Sequence, residues 1–432
     1  MTPPIELIRA AIFHTPRNPF ATDHALEAFA DGCLAISAER VVQLGDYAAV
    51  RAQHPDAQVH DWRGSIVLPG LIDAHTHFPQ TRIIGGLGLR LLDWLRSYAL
   101  PEELRMGDVD YARAVAQQFT RELARHGTTT ALVFGAHFES ATQALFEAAA
   151  ARGIRIATGL VFSDRELPAG LLRKPEDAYH AANRLIAQFH GRNHARYAVT
   201  PRFALSTSEE MLEVCATLMR EHPGVLFQTH VNENFEEIAA VRRAFRWADT
   251  YTAVYDRFSL LGPQSTFAHN VHPTAAELSR LAATDSSVAH CPCSNAMLGS
   301  GMFPMRRHLT AGVKFALGTD VGAGIGFGVL KEALHSYLTQ QSMPGGAALS
   351  PAHLLYLATR AGALALGLGD ECGDFSSGKS ADLVRFQPPQ DAPLAHALAR
   401  AESPERMLAA LITQAGPESV REVRVAGRAL SL

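Results

Sequence analysis

The chain has 432 residues, 47% of them hydrophobic, and its 39 basic and 43 acidic side chains leave a formal net charge of -4. Because there is no basic surplus, the composition argues against a nucleic-acid polymer or an anionic membrane as a partner. An odd cysteine count in a long chain, no signal-peptide pattern and no apolar run of ~18 residues argue against a secreted or membrane-spanning protein, so we expect a cytoplasmic one.

Short apolar runs bounded by turn residues open and close the chain, and they predict a small β layer. Between the two runs nearest the carboxyl end lies an alanine-rich stretch, 392–410, which we predict to be helical. We expect both chain ends to join in one β-sandwich domain made of residues 1–69 and 376–432. The runs lie at 6–13, 32–36, 40–45, 381–386 and 423–428.

Between these ends the pattern changes to an apolar strand, a loop and a long amphipathic helix, repeated several times. Alternating strands and helices predict a parallel sheet. Eight strands in about 300 residues favour a closed barrel over an open sheet, so we predict an α/β fold with a (β/α)8 TIM-type barrel over residues 70–375. The first strand leads into His75 and the others are 128–134, 155–161, 196–200, 225–230, 265–269, 287–291 and 313–320, with helices that include 108–126, 140–152, 177–190 and 208–221.

The first candidate feature of a functional site is the pair His75 and His77, at the end of the first barrel strand. Side chains two residues apart on a strand face the same side, so both imidazoles can reach one metal. Imidazole is a good ligand for zinc. Since the chain has 20 histidines, such a pair also arises by chance, and taken alone it indicates a metal site only weakly.

Further polar residues end or follow later strands of the predicted barrel. His230 follows an apolar strand and has Glu233 three residues later, which places a metal ligand close to a group that can handle protons. His269 and Asp320 close two more strands, and a buried Asp requires a cation or hydrogen bonds. Because the carboxyl ends of barrel strands carry the active site, we expect these residues to converge and to offer a metal three histidines and one aspartate.

Arg202 and Phe203 follow the predicted strand 196–200 and offer a guanidinium beside an aromatic ring. Such a pair suits a planar ring that carries an oxygen, because the guanidinium forms forked hydrogen bonds and the aromatic ring stacks. An ordinary surface Arg beside a core Phe would explain the pair equally well. The features at the other strand ends favour the binding role.

The pattern as a whole resembles the amidohydrolase superfamily, and within it the guanine deaminase family. The superfamily motifs are shared across many substrates: Leu-Pro-Gly-Leu-Ile-Asp-Ala-His-Thr-His at 68–77, Gly-Thr-Thr-Thr at 127–130 and Gly-Lys-Ser-Ala-Asp-Leu-Val at 378–384. The narrower motifs are His-Phe-Pro-Gln at 77–80, Leu-Leu-Asp-Trp-Leu at 91–95, Thr-Pro-Arg-Phe at 200–203, Gln-Thr-His-Val-Asn-Glu-Asn at 228–234 and Leu-Gly-Thr-Asp-Val at 317–321.

The resemblance implies a zinc-dependent deaminase that converts guanine to xanthine and ammonia, with iron as another metal that His and carboxylate ligands accept. It also implies a small-molecule purine as the partner and a homodimer. Its site would hold zinc by His75, His77, His230 and Asp320, transfer protons through Glu233, His269 and Asp320, and bind guanine with Gln80, Trp94, Leu95, Arg202, Phe203 and His230.

Two other functions stay open from the sequence. A related deaminase could act on 8-oxoguanine, a pterin or a triazine, because the motifs do not show how tightly the pocket encloses the ring at C8. A non-catalytic assembly protein on the same fold is the second alternative. Such proteins typically lose metal ligands, whereas all four candidates are present here, so a metal assay separates the two.

Overall fold

Strands form the framework of the molecule and divide between two sheets. The structure, a computed structural model, describes residues 3–432. Within that range the strands are β1 (Ile5–His14), β2 (Glu27–Ser37), β3 (Arg40–Asp46), β4 (Gln58–Pro69), β5 (Leu71–His77), β6 (Thr128–Phe134), β7 (Arg155–Gly159), β8 (Val161–Phe162), β9 (Ala195–Pro201), β10 (Leu226–Val231), β11 (Ser265–His269), β12 (Ser287–His290), β13 (Lys314–Leu317), β14 (Leu383–Phe386), β15 (Val420–Val425) and β16 (Arg428–Ala429).

Helices connect the strands, and several begin at polar residues that satisfy free backbone N–H groups. The side chain of Asp108 caps the longest of them, and Thr274 and Glu277 form a capping box on another. No helix within residues 3–432 is long and apolar enough to cross a lipid bilayer. The helices are α1 (Tyr47–Gln53), α2 (Leu91–Trp94), α3 (Leu100–Arg105), α4 (Val109–Arg125), α5 (Glu139–Arg152), α6 (Pro175–Phe189), α7 (Glu209–Glu221), α8 (Phe235–Ala244), α9 (Tyr251–Arg257), α10 (Ala275–Ala283), α11 (Pro292–Met297), α12 (Met305–Ala311), α13 (Val329–Ser342), α14 (Pro351–Ala358), α15 (Arg360–Ala365), α16 (Pro393–Ala399) and α17 (Pro404–Gln414).

Eight parallel strands form the barrel, in the order β5, β6, β7, β9, β10, β11, β12 and β13. Strands such as β5 and β6 are buried along their whole length, as expected for parallel strands covered by helices. The segment after β13 returns to β5: the Asp320 N–H donates to the His75 carbonyl at 2.9 Å, and the His77 N–H donates to the Val321 carbonyl at 3.1 Å. These bonds join the last strand to the first, and the prediction of a (β/α)8 barrel is confirmed.

The remaining strands, from both ends of the chain, form one mixed sheet in the order β16, β15, β14, β4, β1, β2 and β3. Strand β4 pairs with β1 in parallel and with β14 in antiparallel orientation, so the two chain ends share a sheet as predicted. The seven strands follow one hydrogen-bonded order and form the smaller β domain beside the barrel. The domain boundaries at 69/70 and 375/376 stay a prediction.

A buried ionic group links the barrel to the small sheet. Arg155, at the start of β7, lies 3.3 Å from the carboxylate of Asp382, next to β14, and also pairs with Glu371. Gly70 lies between β4 and β5, and a Cβ atom there would meet the Thr129 side chain at 2.1 Å. Only a glycine therefore allows the chain to pass from the sheet into the barrel at this point.

The predicted strand 155–161 is divided at Leu160 into β7 and β8, and two other predicted elements also differ from the structure. The stretch 392–410 contains all of α16 and the start of α17, because Ser403 is extended and caps α17, whose first residue is Pro404. The predicted strand 313–320 ends at Leu317, before Asp320, whose φ of +48° departs from the extended backbone of a strand. The backbone turn at Asp320 sets the direction of its side chain, which belongs to the candidate site.

Candidate active site

The candidate site lies at the carboxyl ends of the barrel strands, where the sequence predicts it. His75 and His77 are alternate residues of β5, and their side chains point to the same side, as the period of a strand requires. The other residues of the cluster come from strands that are distant in sequence. All the cluster residues are buried: His75, His77, His230, His269 and Asp320.

Four of these side chains direct a nitrogen or oxygen atom to a common point. The Nε2 atom of His77 lies 3.2 Å from Nε2 of His75 and 3.3 Å from Nε2 of His230. The Oδ1 atom of Asp320 lies 3.3 Å from His75 Nε2 and 3.1 Å from His77 Nε2. A tetrahedral zinc shell with ligands at about 2.0–2.1 Å has edges of about 3.3–3.4 Å, so these separations fit one metal ion.

His269 lies against the same cluster. His75, His230, His269 and Asp320 each offer an atom within 4.8 Å of the others. The Nε2 atom of His269 is 3.8 Å from the nearer Asp320 oxygen and 3.5 Å from Glu233 Oε2. His269 is therefore placed between the aspartate of the cluster and a second carboxylate.

The protonation of the histidines favours metal binding. His230 Nδ1 lies 2.6 Å from the backbone carbonyl of Arg202, which accepts its hydrogen bond and leaves the Nε2 lone pair directed at the cluster. Burial lowers the pKa of His75 to about 4 and holds the pKa of His230 well below its usual value. Neutral imidazole is the form that binds metals.

Asp73, which the sequence analysis did not single out, fixes the backbone around the cluster. Its Oδ1 accepts hydrogen bonds from the N–H of His75 at 3.2 Å and of Thr319 at 3.0 Å. Its Oδ2 accepts from the Thr319 hydroxyl at 2.5 Å. Because Asp73 ties β5 to the segment that carries Asp320, it sets the distance between the two sets of metal-ligand candidates.

Three strand-end residues of the site have left-handed backbone conformations, with φ of +50° at Asn232, +71° at His269 and +48° at Asp320. Such conformations are costly for residues other than glycine and persist where the surrounding structure enforces them. These positions lie at or just beyond the strand ends, where the chain turns. The side chains of His269 and Asp320 meet there, with His269 Nε2 3.8 Å from Asp320 Oδ2.

Glu233 and His269 carry the proton chemistry available in the cavity. The hydroxyl of Ser300 donates to Glu233 Oε1 at 3.2 Å, and His269 Nδ1 lies 2.9 Å from Asn295 Oδ1. Burial raises the pKa of Glu233 to about 7. Burial alone would lower the pKa of His269, but the nearby carboxylates of Glu233 and Asp320 outweigh it and raise that pKa.

A narrow cavity opens above the cluster. One wall is apolar and consists of Trp94, Leu95 and Phe203, which pack together with Leu298. The guanidinium of Arg202 lies 5.7 Å from the centre of the Phe203 ring. The cavity is lined by His77, Gln80, Leu91, Trp94, Leu95, Arg202, Phe203, His230, Glu233, His269, Leu298, Asp320 and Ala323.

Glu103, on α3, is a buried charged residue behind two of the cavity-lining side chains, Gln80 and Arg202, and the sequence analysis missed it. Arg202 donates to it twice, from Nη2 at 2.8 Å and from Nε at 3.3 Å, and the amide of Gln80 donates to it at 3.0 Å. The Gln80 carbonyl oxygen accepts the Gly322 N–H at 3.2 Å. No sequence signal separates Glu103 from its neighbour Glu102, which pairs instead with Arg105 and Tyr111.

The structure brings all the predicted site residues together: His75 lies in the cluster, and the others line the cavity. The metal-ligand candidates lie at its base, Glu233 and His269 lie beside them, and the predicted purine contacts form its walls. The roles assigned to the individual residues stay predictions.

A family model described as "Amidohydrolase family" matches residues 66–430, and one described as "Imidazolonepropionase-like composite domain, bacteria" matches residues 32–57. The chain is 53% identical over 429 residues to the "Probable guanine deaminase" of Deinococcus radiodurans, and the match covers 98% of each chain. The chain belongs to the amidohydrolase family. Within that family, it is 40% identical over 378 residues to the "Guanine deaminase" of Escherichia coli, and the match covers 87% of this chain and 86% of the other.

Solved structures agree with this placement. The guanine deaminase of Escherichia coli has a TM-score of 0.95 and 37% identity, and the match covers 99% of both chains. A guanine deaminase from C. acetobutylicum with bound guanine has a TM-score of 0.89 and 25% identity, covering 99% of this chain and 100% of the other. An adenosine deaminase from Xanthomonas campestris with bound zinc has a TM-score of 0.82 and 25% identity, covering 99% and 93%.

Proposed function

We propose that the protein hydrolyses the 2-amino group of guanine and releases xanthine and ammonia. One observation carries the proposal: Arg202 and Gln80 are held at the wall of the same cavity whose base contains the histidine and aspartate cluster. Their free N–H groups suit the O6 carbonyl and ring acceptors of guanine. A group that holds O6 leaves C2, the carbon that bears the amino group, free to face the cluster. The guanine deaminases to which the chain is similar support the same substrate.

We assign His75, His77, His230 and Asp320 as the ligands of one zinc ion. The short separations among the three Nε2 atoms and Asp320 Oδ1 support this set, as does the mixture of imidazole and carboxylate donors. A bound divalent metal lowers the pKa of water from 15.7 to about 7 and so makes a nucleophile available at neutral pH. Iron accepts the same ligands, and elemental analysis of the purified protein decides between the two metals.

We assign proton transfer to Glu233, His269 and Asp320. Asp320 orients the attacking water and His269 takes one of its protons as the oxygen bonds to C2. Glu233, whose pKa is about 7, gives a proton to the adjacent ring nitrogen and later takes the proton of the new hydroxyl. The amino group receives the proton held by His269, the C–N bond breaks, and ammonia and xanthine leave. Both protein groups return to their starting protonation.

Arg202 gives the site a means of rejecting adenine. Adenine has an amino group where guanine has O6, so with adenine a guanidinium N–H meets another donor and loses its partner. Sites built to hydrogen-bond a substrate group reject analogues that lack it by a factor of about 10⁴ or more. Phe203 and Trp94 contribute apolar contact to the ring faces and edges, which is equally available to any flat heterocycle.

The test is the release of ammonia by the purified protein from guanine, adenine, 8-oxoguanine, a pterin and a triazine, each at the same concentration. We expect guanine to be the best substrate by kcat/KM and adenine to be inert. If 8-oxoguanine, a pterin or a triazine were turned over faster than guanine, that compound would be the substrate in place of guanine. The homodimer and the cytoplasmic location stay predictions, and sedimentation analysis measures the first.

A further inference from the structure

Glu103 forms a buried ion pair with Arg202, and Arg202 lines the cavity. Both residues are almost fully buried, and two N–H groups of the guanidinium point at the two carboxylate oxygens. Such a forked pair fixes both the position and the plane of the guanidinium. Of the nitrogens of Arg202, Nη1 is the one that donates no hydrogen bond to Glu103, so it is available to a ligand.

Gln80 is oriented by the same carboxylate. Its amide nitrogen donates to Glu103 and its amide oxygen accepts from the Gly322 N–H. The amide therefore cannot flip without losing both bonds, and it presents its second N–H to the cavity. Glu103 thus aligns both of the polar side chains that we propose to contact the purine.

Glu103 and Arg202 together carry no net charge, and the groups that face Glu103 are as follows. Burial by itself would raise the pKa of Glu103, but the Arg202 guanidinium outweighs it and lowers the pKa to about 2. His137 Nδ1 lies 3.5 Å from Glu103, and burial lowers the pKa of His137 to about 4, so its ring is neutral near pH 7. His77 also faces Glu103, from β5, and Arg173 lies beyond His137, whose carbonyl it binds.

The substrate and the product of the proposed reaction differ in acidity. Guanine is neutral at physiological pH. In xanthine a carbonyl replaces the amidine carbon that bears the amino group, and the ring N–H groups beside it are more acidic, so xanthine ionises closer to neutral pH. An arginine without a partner in a buried wall would attract that anion strongly, because opposite charges in such a place interact strongly.

On these grounds, and resting on the proposed function, we propose that Glu103 is a positioning and specificity residue that neutralises Arg202, so that the pocket binds neutral purines and does not retain the acidic product. The carboxylate acts through Arg202 and Gln80 and not on the reacting atoms. Three consequences follow for a protein that lacks this charge: tighter binding of xanthine at high pH, slower recovery from product inhibition, and a wider tolerance for anionic rings.

The test is inhibition of guanine turnover by xanthine in the metal-loaded protein and in the variant Glu103→Gln, at about pH 6 and about pH 9. The quantity compared is the ratio of the xanthine Ki to the guanine KM. At the higher pH we expect this ratio to be lower in Glu103→Gln than in the unmodified protein, by about tenfold or more. Equal pH profiles in the two proteins would overturn the proposal.

Two further variants separate charge from shape. Glu103→Asp keeps the charge but shortens the side chain, so we expect a higher guanine KM with the xanthine profile of the unmodified protein. Glu102→Gln alters the adjacent residue, which pairs with Arg105 and Tyr111, and we expect it to leave both quantities unchanged. A xanthine profile in Glu103→Asp that matches Glu103→Gln would show that geometry, and not charge, is responsible, and would contradict the proposal.

Calorimetry on the unmodified protein gives a measurement that does not depend on the folding of Glu103→Gln. A neutral pocket requires xanthine to take up a proton when it binds at high pH, and titrations in two buffers with different ionisation enthalpies measure that uptake. Binding without proton uptake would overturn the proposal. If the protein releases no ammonia from guanine, the proposed function fails, but the calorimetric result still reports the charge that the pocket prefers.

Discussion

His269 Nε2 lies 3.5 Å from Glu233 Oε2, so an imidazole and a carboxylate face each other beside the histidine cluster. Their protonation is linked, because the carboxylate charge favours the protonated ring and the ring charge favours the ionised carboxylate. Burial raises the pKa of Glu233 to about 7, and the pKa of His269 is also raised. Glu233 can therefore gain or lose a proton near neutral pH, and the raised pKa of His269 favours its protonated form, which suits an acid and base pair.

Glu233→Gln should retain the metal and lose most of its turnover. The amide keeps the size of the side chain and can still accept from the Ser300 hydroxyl, but it cannot pass a proton to the ring. Loss of a general acid or base typically lowers kcat by about 10²–10⁴-fold. Steady-state kinetics with guanine and elemental analysis measure the two quantities. Glu236→Gln, three residues along on an exposed face, is the matched control, and near-normal kcat in Glu233→Gln would remove Glu233 from the mechanism.

Arg202→Ala should raise the guanine KM and reduce discrimination against adenine. The substitution removes the N–H that we propose to hold O6, whereas Gln80 keeps its own hydrogen bonds to the Glu103 carboxylate and the Gly322 N–H. The measurement is kcat/KM for guanine and for adenine in the same preparation. Unchanged kinetics for both purines would show that Arg202 does not contact the substrate.

Arg202→Ala should also destabilise the fold, because it leaves the Glu103 carboxylate buried without its ion partner. Breaking a buried pair on one side typically costs about 3–5 kcal/mol. The double variant Arg202→Ala/Glu103→Ala removes both charges, so we expect its free energy of unfolding to exceed that of the single variant. Urea unfolding at neutral pH measures the difference. A double variant less stable than Arg202→Ala would mean that the unpaired charge is not the main cause of the loss.

Removal of the metal should abolish activity and lower the free energy of unfolding. A ligand that binds only the folded state and is present at about 1,000 times its Kd adds about 4 kcal/mol of stability. Thermal unfolding with and without a chelator, followed by addition of zinc or iron(II), measures both the loss and the recovery. Asp320→Ala is the control, since we expect the chelator to shift its unfolding very little. Full activity after complete removal of metal would refute the assignment of the cluster.

Because of Glu332, the free energy of unfolding should decrease as pH rises. Its Oε2 accepts the Cys293 N–H at 3.1 Å, but its buried Oε1 has no hydrogen-bond partner among residues 3–432, and burial raises its pKa from 4.5 to about 8. Between these two pH values the folded state holds a proton that the unfolded state has lost. The unfolded state therefore binds fewer protons, and the free energy of unfolding decreases with pH across that window.

The measurement is urea unfolding of the unmodified protein and of Glu332→Gln at about pH 5 and about pH 8. Glutamine can still accept from Cys293 and does not titrate, so we expect the variant to gain about 2–5 kcal/mol relative to the unmodified protein at the higher pH. Other buried carboxyl groups, such as Asp73 and Glu233, contribute equally to both proteins. Parallel pH dependence in the two proteins would show that Glu332 is ionised in the folded state.

The sequence by itself determined the barrel, the small β domain and most of the cavity. Strand and helix periodicity is local, and the fixed place of active sites in βα barrels then brings His75, His230 and Asp320 together without knowledge of any contact. It also predicted the helical character of 392–410, but not the interruption before Pro404, which depends on how Ser403 caps the following helix.

Tertiary structure alone decided which of two adjacent glutamates serves the site. Glu102 and Glu103 are the same residue type on one short helix, and a rotation of about 100° along the helix sends one to Arg105 and the other to Arg202, which lies 99 residues further along the chain. Tertiary structure also decided the left-handed turn at Asp320 and the hydrogen bonds by which Asp73 anchors the neighbouring backbone. Each depends on how packed elements are oriented in space, and no local pattern of residues encodes that orientation.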